Sequence, residues 1–246
     1  ALWRDTLLYA KTPMRRSLIF VLMCQMAMGQ INITHLIGID ESHLTTLETY
    51  QLTPNTAEAF CAMQTAALQD GIDLQLVSAY RSFARQQQIF EDKYTRYTAE
   101  GLTPTAAIQR ILEYSTIPGT SRHHWGTDID ITDGNAPNQK RLLIPEKFHG
   151  NGPFAPLHQW MQANAHRFGF YLVYTDDASR TGFAYEPWHY TYLPEAKAFL
   201  EQYDPNTAYA FFKSVGVAGS EYITRDFWNA YYTQFVLGVN REVLGK

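Results

Sequence analysis

Hydrophobic positions recur with a helical period in some stretches of the chain and alternate with polar positions in others. The changes between these two patterns predict where helices and strands begin and end. Apolar residues at helical spacing, behind a hydroxyl residue able to cap the first turn (Thr53, Ser82 or Thr103), predict helices over 54–70, 83–100 and 104–114. Further helices are predicted over 154–168, 194–203 and 221–239. Glycines at the ends of several of these stretches supply stop signals.

Short apolar runs, which alternate with polar residues in the clearest cases, predict strands. They lie at 73–80, 127–132, 170–174 and 186–193. A turn-rich link, with no crossover helix, joins the last two of these runs. This order predicts an α+β fold with a small, largely antiparallel sheet flanked by helices, rather than a doubly wound parallel sheet. The segment 133–152 is rich in Gly, Pro and Asn and is typical of a long surface excursion.

The N-terminal region has the order of an export signal. Residues 14–30 read MRRSLIFVLMCQMAMGQ, with a basic pair, an apolar run and then small residues. This order predicts a signal peptide cleaved near Gly29, with translation starting at Met14 rather than ahead of residues 1–13. The apolar run is short for a permanent membrane span. A buried N-terminal helix is the alternative interpretation.

Charge and cysteine content argue against nucleic-acid binding and against attachment to a lipid. The formal charge is −4, and no basic run of the kind that binds a phosphate backbone is present, so we expect no nucleic-acid partner. Removing 1–29 takes four basic residues and one acidic residue from the 20 and 24 of the chain, which leaves an acidic mature protein. Cys24 lies in the predicted signal, where Met23 argues against lipid attachment. Cys61 would then remain alone, and we expect it to be buried in its helix.

Length and composition are those of one globular domain with terminal extensions. The chain has 246 residues, of which 46% are hydrophobic, enough to bury a sizeable core. The predicted organisation is an N-terminal extension with the signal (1–29), a main domain (30–204) and a C-terminal helical extension (205–246). The aromatic-rich end of that extension predicts either a helix packed on the core or a lid or partner surface.

Clustered histidines and aspartates point to metal chemistry. His123 and His124 directly precede a predicted strand that carries Asp128 and Asp130, and His189 lies in another predicted strand. Two imidazoles and one carboxylate, with a fourth position left open for water, are a typical catalytic zinc set. The pattern alone leaves a metal site and ordinary surface chemistry equally open.

Three motifs resemble those of one family. SRHHWGTDID at 121–130 resembles the SxHxxGxAxD signature of the VanY-type zinc D-alanyl-D-alanine carboxypeptidases, which share a fold with the hedgehog signalling domain. EPWHY at 186–190 is similar to their second signature, in which a glutamate precedes a histidine ligand by three residues. SAYRSFARQ at 78–86 is similar to a third. The resemblance covers roughly residues 50–200 of the chain and implies the family's fold and activity.

The resemblance also implies the ligand set. Carried over by position, it assigns one Zn²⁺ to His123, Asp130 and His189, while His124 and Asp128 are not ligands. The family usually has alanine where this chain has Asp128. Since residues two apart in a strand share a face, this second carboxylate is expected on the side of the metal. It could tune the charge of the site, bind a substrate amine or hydrogen-bond to a neighbouring loop.

The same resemblance implies roles for other residues. Glu186 is expected to be the general base and acid, and Pro187 suggests that Glu186 lies in the turn before its strand. The guanidinium of Arg81 is expected to reach the substrate carbonyl and the developing oxyanion. The remaining assignments are Ser121 as a hydrogen-bond partner of the substrate, Gln86 as a pocket-lining residue and Trp188 as a packing wall beside the metal.

The sequence therefore predicts an exported zinc carboxypeptidase of the periplasm or cell envelope. Its expected substrate is the D-Ala-D-Ala end of peptidoglycan stem peptides. Cleavage of an L,D or L-Ala-D-Glu bond in the same polymer remains an alternative, because a shared zinc site does not fix the substrate pocket. A catalytically silent wall-binding module is the alternative from another class. The oligomeric state is not determined.

Overall fold

The computed structural model describes residues 31–245, so the predicted signal and its cleavage site lie outside the described residues. Within this range, every helix is too short or too polar to traverse a lipid bilayer. The α-helices are α1 Ile33–Leu36, α2 Pro54–Gln69, α3 Phe83–Ala99, α4 Pro104–Leu112, α5 Ala155–Asn164, α6 Leu193–Gln202, α7 Pro205–Val215, α8 Arg225–Tyr231 and α9 Arg241–Leu244.

A four-stranded antiparallel sheet forms the centre of the fold. Its strands are β3 Leu74–Ser78, β4 Asp128–Asp133, β5 Phe170–Leu172 and β6 His189–Tyr192, in the order β3-β4-β6-β5. The prediction of an α+β fold with a small antiparallel sheet is confirmed. A separate hairpin of β1 Thr45–Leu47 and β2 Tyr50–Leu52 lies ahead of α2, in a stretch for which the sequence predicted no strand.

Sheet register brings distant residues together. Asp130 on β4 is the direct partner of Ser78 on one side and of His189 on the other. Alternation along β4 directs Ile129 and Ile131 into an apolar cluster. Asp128 and Asp130 therefore lie on the opposite face of the same strand.

Two apolar clusters enclose the sheet. The first joins the face bearing Ile129 and Ile131 to helices α2 and α5. The second unites α3 and α4 with α6 to α9, and its largest fully buried side chains include Trp125 and Trp228. Asp128 and Asp130 of β4 and His189 of β6 lie on the side of the sheet away from the first cluster.

Local capping explains the helix starts. The side chains of Thr53, Ser82 and Thr103 each accept a hydrogen bond from a backbone N–H in the first turn of α2, α3 and α4, respectively. Pro54 and Pro104 occupy the first helical position, where no N–H is needed. These interactions involve neighbours in sequence, which is why the sequence predicted these starts well.

The C-terminal extension differs from its prediction. The single helix expected over 221–239 is divided, because Thr224 caps a new helix, α8, and a π-helical turn follows at Tyr232–Val236. Helix α7, starting after the cap Asp204, was not predicted, although Asp204-Pro205 is a clear start signal. The extension packs against the core, which favours the first of the two alternatives for it.

Cys61 was expected to be buried, and this prediction was wrong. Its side chain lies on the exposed face of α2. The buried residues of that helix include Ala57, Phe60 and Met63 instead. Cys61 therefore does not belong to the stripe that packs on the sheet.

Candidate metal centre

A short turn places His123, the first of the predicted ligands. Arg122–Trp125 form a 3₁₀ turn that ends at Gly126, whose φ of 73° is left-handed. This left-handed φ favours glycine, and a Cβ here would also press on the side chain of Leu44, just ahead of β1. The turn thereby holds His123 beside the start of β4.

His123, Asp130 and His189 meet in one cluster. One potential ligand atom from each lies within 4.8 Å of the others, and all three side chains are buried. Nε2 of His123 is 3.3 Å from Oδ2 of Asp130, and Nδ1 of His189 is 3.4 Å from Oδ1 of Asp130. The three residues that the sequence predicted as ligands are thus brought together.

The donor set fits a metal ion. Oδ1 of Asp130 is buried and has no hydrogen-bond partner among the described residues. Such an oxygen is costly to bury unless a partner such as a metal satisfies it. Burial alone raises the pKa of Asp130, but His123, His189 and Arg81 outweigh it and hold the pKa below its ordinary value. The carboxylate is therefore kept ionised, as a metal ligand must be.

The ring nitrogens of His123 and His189 that face away from the cluster also have hydrogen-bond partners. Nδ1 of His123 lies 2.7 Å from the carbonyl oxygen of Ala79, and Nε2 of His189 lies 2.8 Å from Oδ2 of Asp128. Metal-ligating histidines commonly donate their second ring N–H to a carbonyl or carboxylate in this way. Each ring thereby presents a different nitrogen to the cluster.

Negative groups surround His189. Oε2 of Glu186 is 3.3 Å from its Nδ1, and Asp128 contacts its other nitrogen. Burial lowers the pKa of His189, but the hydrogen bonds with Asp128 and Glu186 raise it to about 10. The site therefore strongly favours positive charge at this position.

His124, the neighbour of the first ligand, has a different environment. Its Nδ1 lies 2.6 Å from the carbonyl oxygen of Arg81, and its Nε2 accepts a hydrogen bond from the N–H of Gly119 at 3.1 Å. Burial lowers its pKa to about 3, so the ring is neutral. Both nitrogens are occupied by backbone groups, which leaves none to bind a metal.

Glu186 lies ahead of β6 rather than within it. The N–H of His189 donates to the carbonyl oxygen of Glu186 at 3.1 Å, which closes a turn through Pro187. The turn brings the Glu186 carboxylate to the same side as the His189 ring. About a quarter of its side chain is exposed (24%), so it can reach a bound substrate.

Arg81 reaches the cavity from the segment after β3. Its Nη1 donates to Oε1 of Gln86 at 2.9 Å, and Gln86 in turn donates to Ser115 and to the carbonyl oxygen of Thr116. Gln86 is fully buried and lies behind Arg81, whereas the sequence analysis expected it to line the pocket. Its contacts indicate that it orients Arg81.

The cluster opens into a cavity of about 710 Å³. Its walls include the three candidate ligands and four other residues singled out from the sequence: Arg81, Ser121, Glu186 and Trp188. The cavity is large enough for a small peptide. Gln86 is the one predicted site residue that does not border it.

Several neighbours of the site were not identified from the sequence. The ring of Tyr174 packs edge-on against His189, with ring centroids 5.0 Å apart. Arg122 binds Asp128, with 2.8 Å between Nε and Oδ2. Tyr174 lies just beyond β5 and carries no motif. The Asp128–Asp130 alternation was a visible signal for a second carboxylate, but not for its partners.

Comparison with known proteins agrees with these observations. The curated D-alanyl-D-alanine carboxypeptidase of Enterococcus faecalis is 34% identical over 130 residues, which is 52% of this chain and 43% of that protein. The enzyme of the same description from Enterococcus faecium is 26% identical over 176 residues, 68% of this chain and 48% of its own. The chain thus spans about half the length of these curated relatives.

A solved structure of the vancomycin resistance D,D-pentapeptidase VanY, in complex with Zn(II), superposes with a TM-score of 0.48 at 26% identity. The match covers 74% of this chain and 89% of that one. The sequence model of the VanY family, described as D-alanyl-D-alanine carboxypeptidase, matches residues 49–195, well over half of the chain and every candidate site residue. The family expected from the three motifs is confirmed: the chain belongs to the VanY family.

Proposed function

We propose that this chain is a zinc-dependent D,D-carboxypeptidase that hydrolyses the terminal D-Ala-D-Ala bond of peptidoglycan stem peptides. The convergence of His123, Asp130 and His189 within 4.8 Å carries the proposal. These residues lie inside the stretch that matches the family. Among the described residues, one buried carboxylate oxygen of this cluster accepts no hydrogen bond, and a bound cation would satisfy it.

Two imidazole nitrogens and one carboxylate oxygen would hold the zinc ion. This set suits zinc better than calcium or magnesium, which prefer all-oxygen ligands. When bound, zinc would polarise the scissile carbonyl and lower the pKa of water. Three protein ligands leave room for that water, as a hydrolytic site requires.

Glu186 is the proposed general base and acid. Its carboxylate lies beside the cluster and borders the cavity. In this role it accepts a proton from the attacking water and then donates a proton to the amine of the leaving D-alanine. Its partial exposure lets it meet both groups without moving.

Arg81 is the proposed partner of the developing oxyanion. Its guanidinium borders the same cavity and is held by Gln86. Burial lowers the pKa of Arg81, while Asp130 and Glu186 raise it. An arginine stays charged in proteins even so. A fixed cation facing the reacting carbonyl stabilises negative charge that appears in the transition state.

Ser121 and Trp188 complete the proposed substrate contacts. Both are buried side chains on the cavity wall. We assign Ser121 to hydrogen bonding with the peptide and Trp188 to an apolar wall beside the metal. Gln86 acts on the substrate only through Arg81.

The proposed domain organisation keeps the sequence boundaries. Residues 30–204 form the peptidase domain, and 205–246 form the C-terminal extension. Phe235 of the extension packs against Phe183, which borders the cavity. This contact supports the proposal that the extension holds the cavity wall in place and does not act as a lid. The proposed location, the periplasm or cell envelope after removal of 1–29, follows from the substrate and from the predicted signal.

Defined muropeptides test the proposal. Purified protein is incubated with pentapeptide, tetrapeptide and dipeptide stems, with and without a zinc chelator, and the products are weighed by mass spectrometry. Loss of one alanine from the pentapeptide alone, abolished by the chelator and restored by zinc, is expected.

Other products would redirect the proposal. Release of D-alanine from the tetrapeptide would indicate L,D specificity, and a cut after the first L-alanine would indicate an endopeptidase. Binding of the polymer without any cleavage would indicate a silent wall-binding module. Each of these outcomes contradicts the D,D assignment.

A further inference from the structure

Asp128 is a second, fully buried carboxylate beside the metal-ligand cluster. Its Oδ2 lies 2.8 Å from Nε2 of His189, and it is not one of the three clustered ligands. It lies two residues before Asp130 on the same face of β4, and its partner on β6 is Thr191. Sheet register therefore fixes the distance between this carboxylate and the His189 ring.

The two nitrogens of His189 face different partners. Nδ1 points to the cluster, 3.4 Å from Asp130 and 3.3 Å from Glu186, whereas Nε2 points to Asp128. A carboxylate accepts but does not donate, so Nε2 must carry the proton in this hydrogen bond. With Nε2 committed to Asp128, Nδ1 is the ring nitrogen that can bind a cation, in place of a proton shared with the neighbouring carboxylates.

Three other side chains fix the Asp128 carboxylate. Arg122 donates through Nε to Oδ2 at 2.8 Å, and Thr191 donates to Oδ1 at 2.6 Å. Thr127 adds a hydrogen bond to Oδ1 at 3.0 Å. The Arg122 guanidinium is itself buried and lies 4.4 Å from the centre of the Trp125 ring. The acceptor for His189 is thus immobile.

His123 provides an internal contrast. Its outer nitrogen binds a neutral acceptor, the carbonyl oxygen of Ala79, at 2.7 Å. Only His189 has a charged acceptor on its outer nitrogen. A carboxylate in this position fixes the tautomer and raises the basicity of the ligand more than a carbonyl does.

We propose that Asp128 is a positioning residue for metal binding, which holds His189 with Nε2 protonated and Nδ1 directed to the zinc. This inference rests on the proposed zinc site. The simpler explanation is that Asp128 serves only as the counterion of the buried Arg122. The two explanations differ in what happens to metal affinity when the negative charge is removed.

Zinc affinity of Asp128→Asn, measured by competition with a chromophoric chelator, tests the proposal. Asparagine has nearly the same shape and can still accept from His189, but it has no charge. Affinity is expected to fall by about 10- to 100-fold, the usual effect of losing a partner behind a metal ligand. Thr191→Val is the matched control, because it removes a donor to the other oxygen of Asp128. Its affinity should fall far less than that of Asp128→Asn, because the carboxylate keeps its charge and its hydrogen bonds from Arg122 and Thr127.

The proton on Nε2 of His189 gives a readout that is independent of affinity and activity. In zinc-loaded wild-type protein labelled with ¹⁵N-histidine, this proton should resonate far downfield and exchange slowly. Asp128→Asn should shift it upfield and speed its exchange, whereas Thr191→Val should leave it in place. An unchanged signal in Asp128→Asn overturns the proposal.

A double variant guards against misfolding. If Asp128→Asn does not fold, Asp128→Ala combined with Arg122→Met removes both buried charges, a change that folds often tolerate. Loss of a cation near the site would by itself favour zinc, so weaker binding in this variant would support the proposal. Wild-type affinity in either folded variant would leave Asp128 as a counterion only. Failure of the wild-type protein to bind zinc would instead overturn the zinc site itself.

Discussion

The candidate metal centre around His123, Asp130 and His189 and the C-terminal extension (205–245) both contain buried side chains, but the two regions differ in the polarity of those side chains. Around His123, Asp130 and His189 many buried groups are charged or polar, and most of their polar atoms have hydrogen-bond partners; Oδ1 of Asp130 and Nη1 of Arg122 are among the exceptions. In the extension the buried groups are mainly apolar, both aliphatic and aromatic, and they include the fully buried Trp228.

This difference indicates that the residues that matter most for metal binding and those that matter most for stability lie in different regions of the molecule. Hydrogen bonds and the proposed cation offset the cost of burying the polar cluster, so its residues contribute mainly to function. The apolar cluster of the extension removes apolar surface from water and buries few polar groups, so its residues contribute mainly to the free energy of unfolding. Substitutions in the two regions should therefore separate loss of metal from loss of stability.

The largest expected effect is loss of metal. His123→Gln, Asp130→Asn and His189→Gln should each lose stoichiometric zinc, because two protein ligands rarely retain the ion. Elemental analysis of the dialysed proteins measures it. His124→Gln is the matched control and should keep zinc, since both of its nitrogens bind backbone groups. Zinc loss in the control with retention in His123→Gln would mean that the ligand register is wrong.

Next in size is the effect of Glu186→Gln on turnover. The amide keeps the shape of the side chain but cannot accept the proton, so hydrolysis should fall by about 10²–10⁴. Zinc content and melting temperature should stay close to the wild type, because the side chain is partly exposed. All three quantities are measured on one preparation. Near-normal hydrolysis with zinc bound would remove Glu186 from the mechanism.

In the extension, Trp228→Ala should destabilise the fold without affecting the metal. Trp228 is fully buried, so truncation is expected to cost about 3–5 kcal/mol in the free energy of unfolding. Urea unfolding measures this cost, and zinc per folded chain should be unchanged. Tyr222→Ala, at a half-exposed position of the same extension, should cost much less. Zinc loss from folded Trp228→Ala would show that the two regions are not separable.

The smallest effect on stability is expected where Tyr231 of the extension contacts the loop that precedes Ser121. The hydroxyl of Tyr231 accepts from the N–H of Ile117 at 3.3 Å and contacts the hydroxyl of Thr120 at 2.8 Å. Tyr231→Phe leaves the buried N–H of Ile117 without a partner, although the hydroxyl of Thr120 keeps its hydrogen bond to the carbonyl oxygen of Ile117, and the change should cost about 1–3 kcal/mol. Thermal unfolding measures it, with Tyr222→Phe as the exposed control. An additional fall in kcat would show that the extension also sets the position of Ser121.

The sequence by itself determined what depends on near neighbours. Helix starts at Thr53, Ser82 and Thr103 were predictable because a cap bonds to an N–H within three residues. The alternation of Asp128–Asp130 with Ile129 and Ile131 was equally local. The ligand set came from motif resemblance.

Only the tertiary structure decided which residues meet across the chain. The contact of Asp128 with His189 joins positions 61 residues apart, and it exists because the register of β4 and β6 places them on one face. The place of Gln86 behind Arg81, and the exposure of Cys61, depend in the same way on packing between elements. Periodicity gives the face of an element, but the partner on that face is fixed only when the elements assemble.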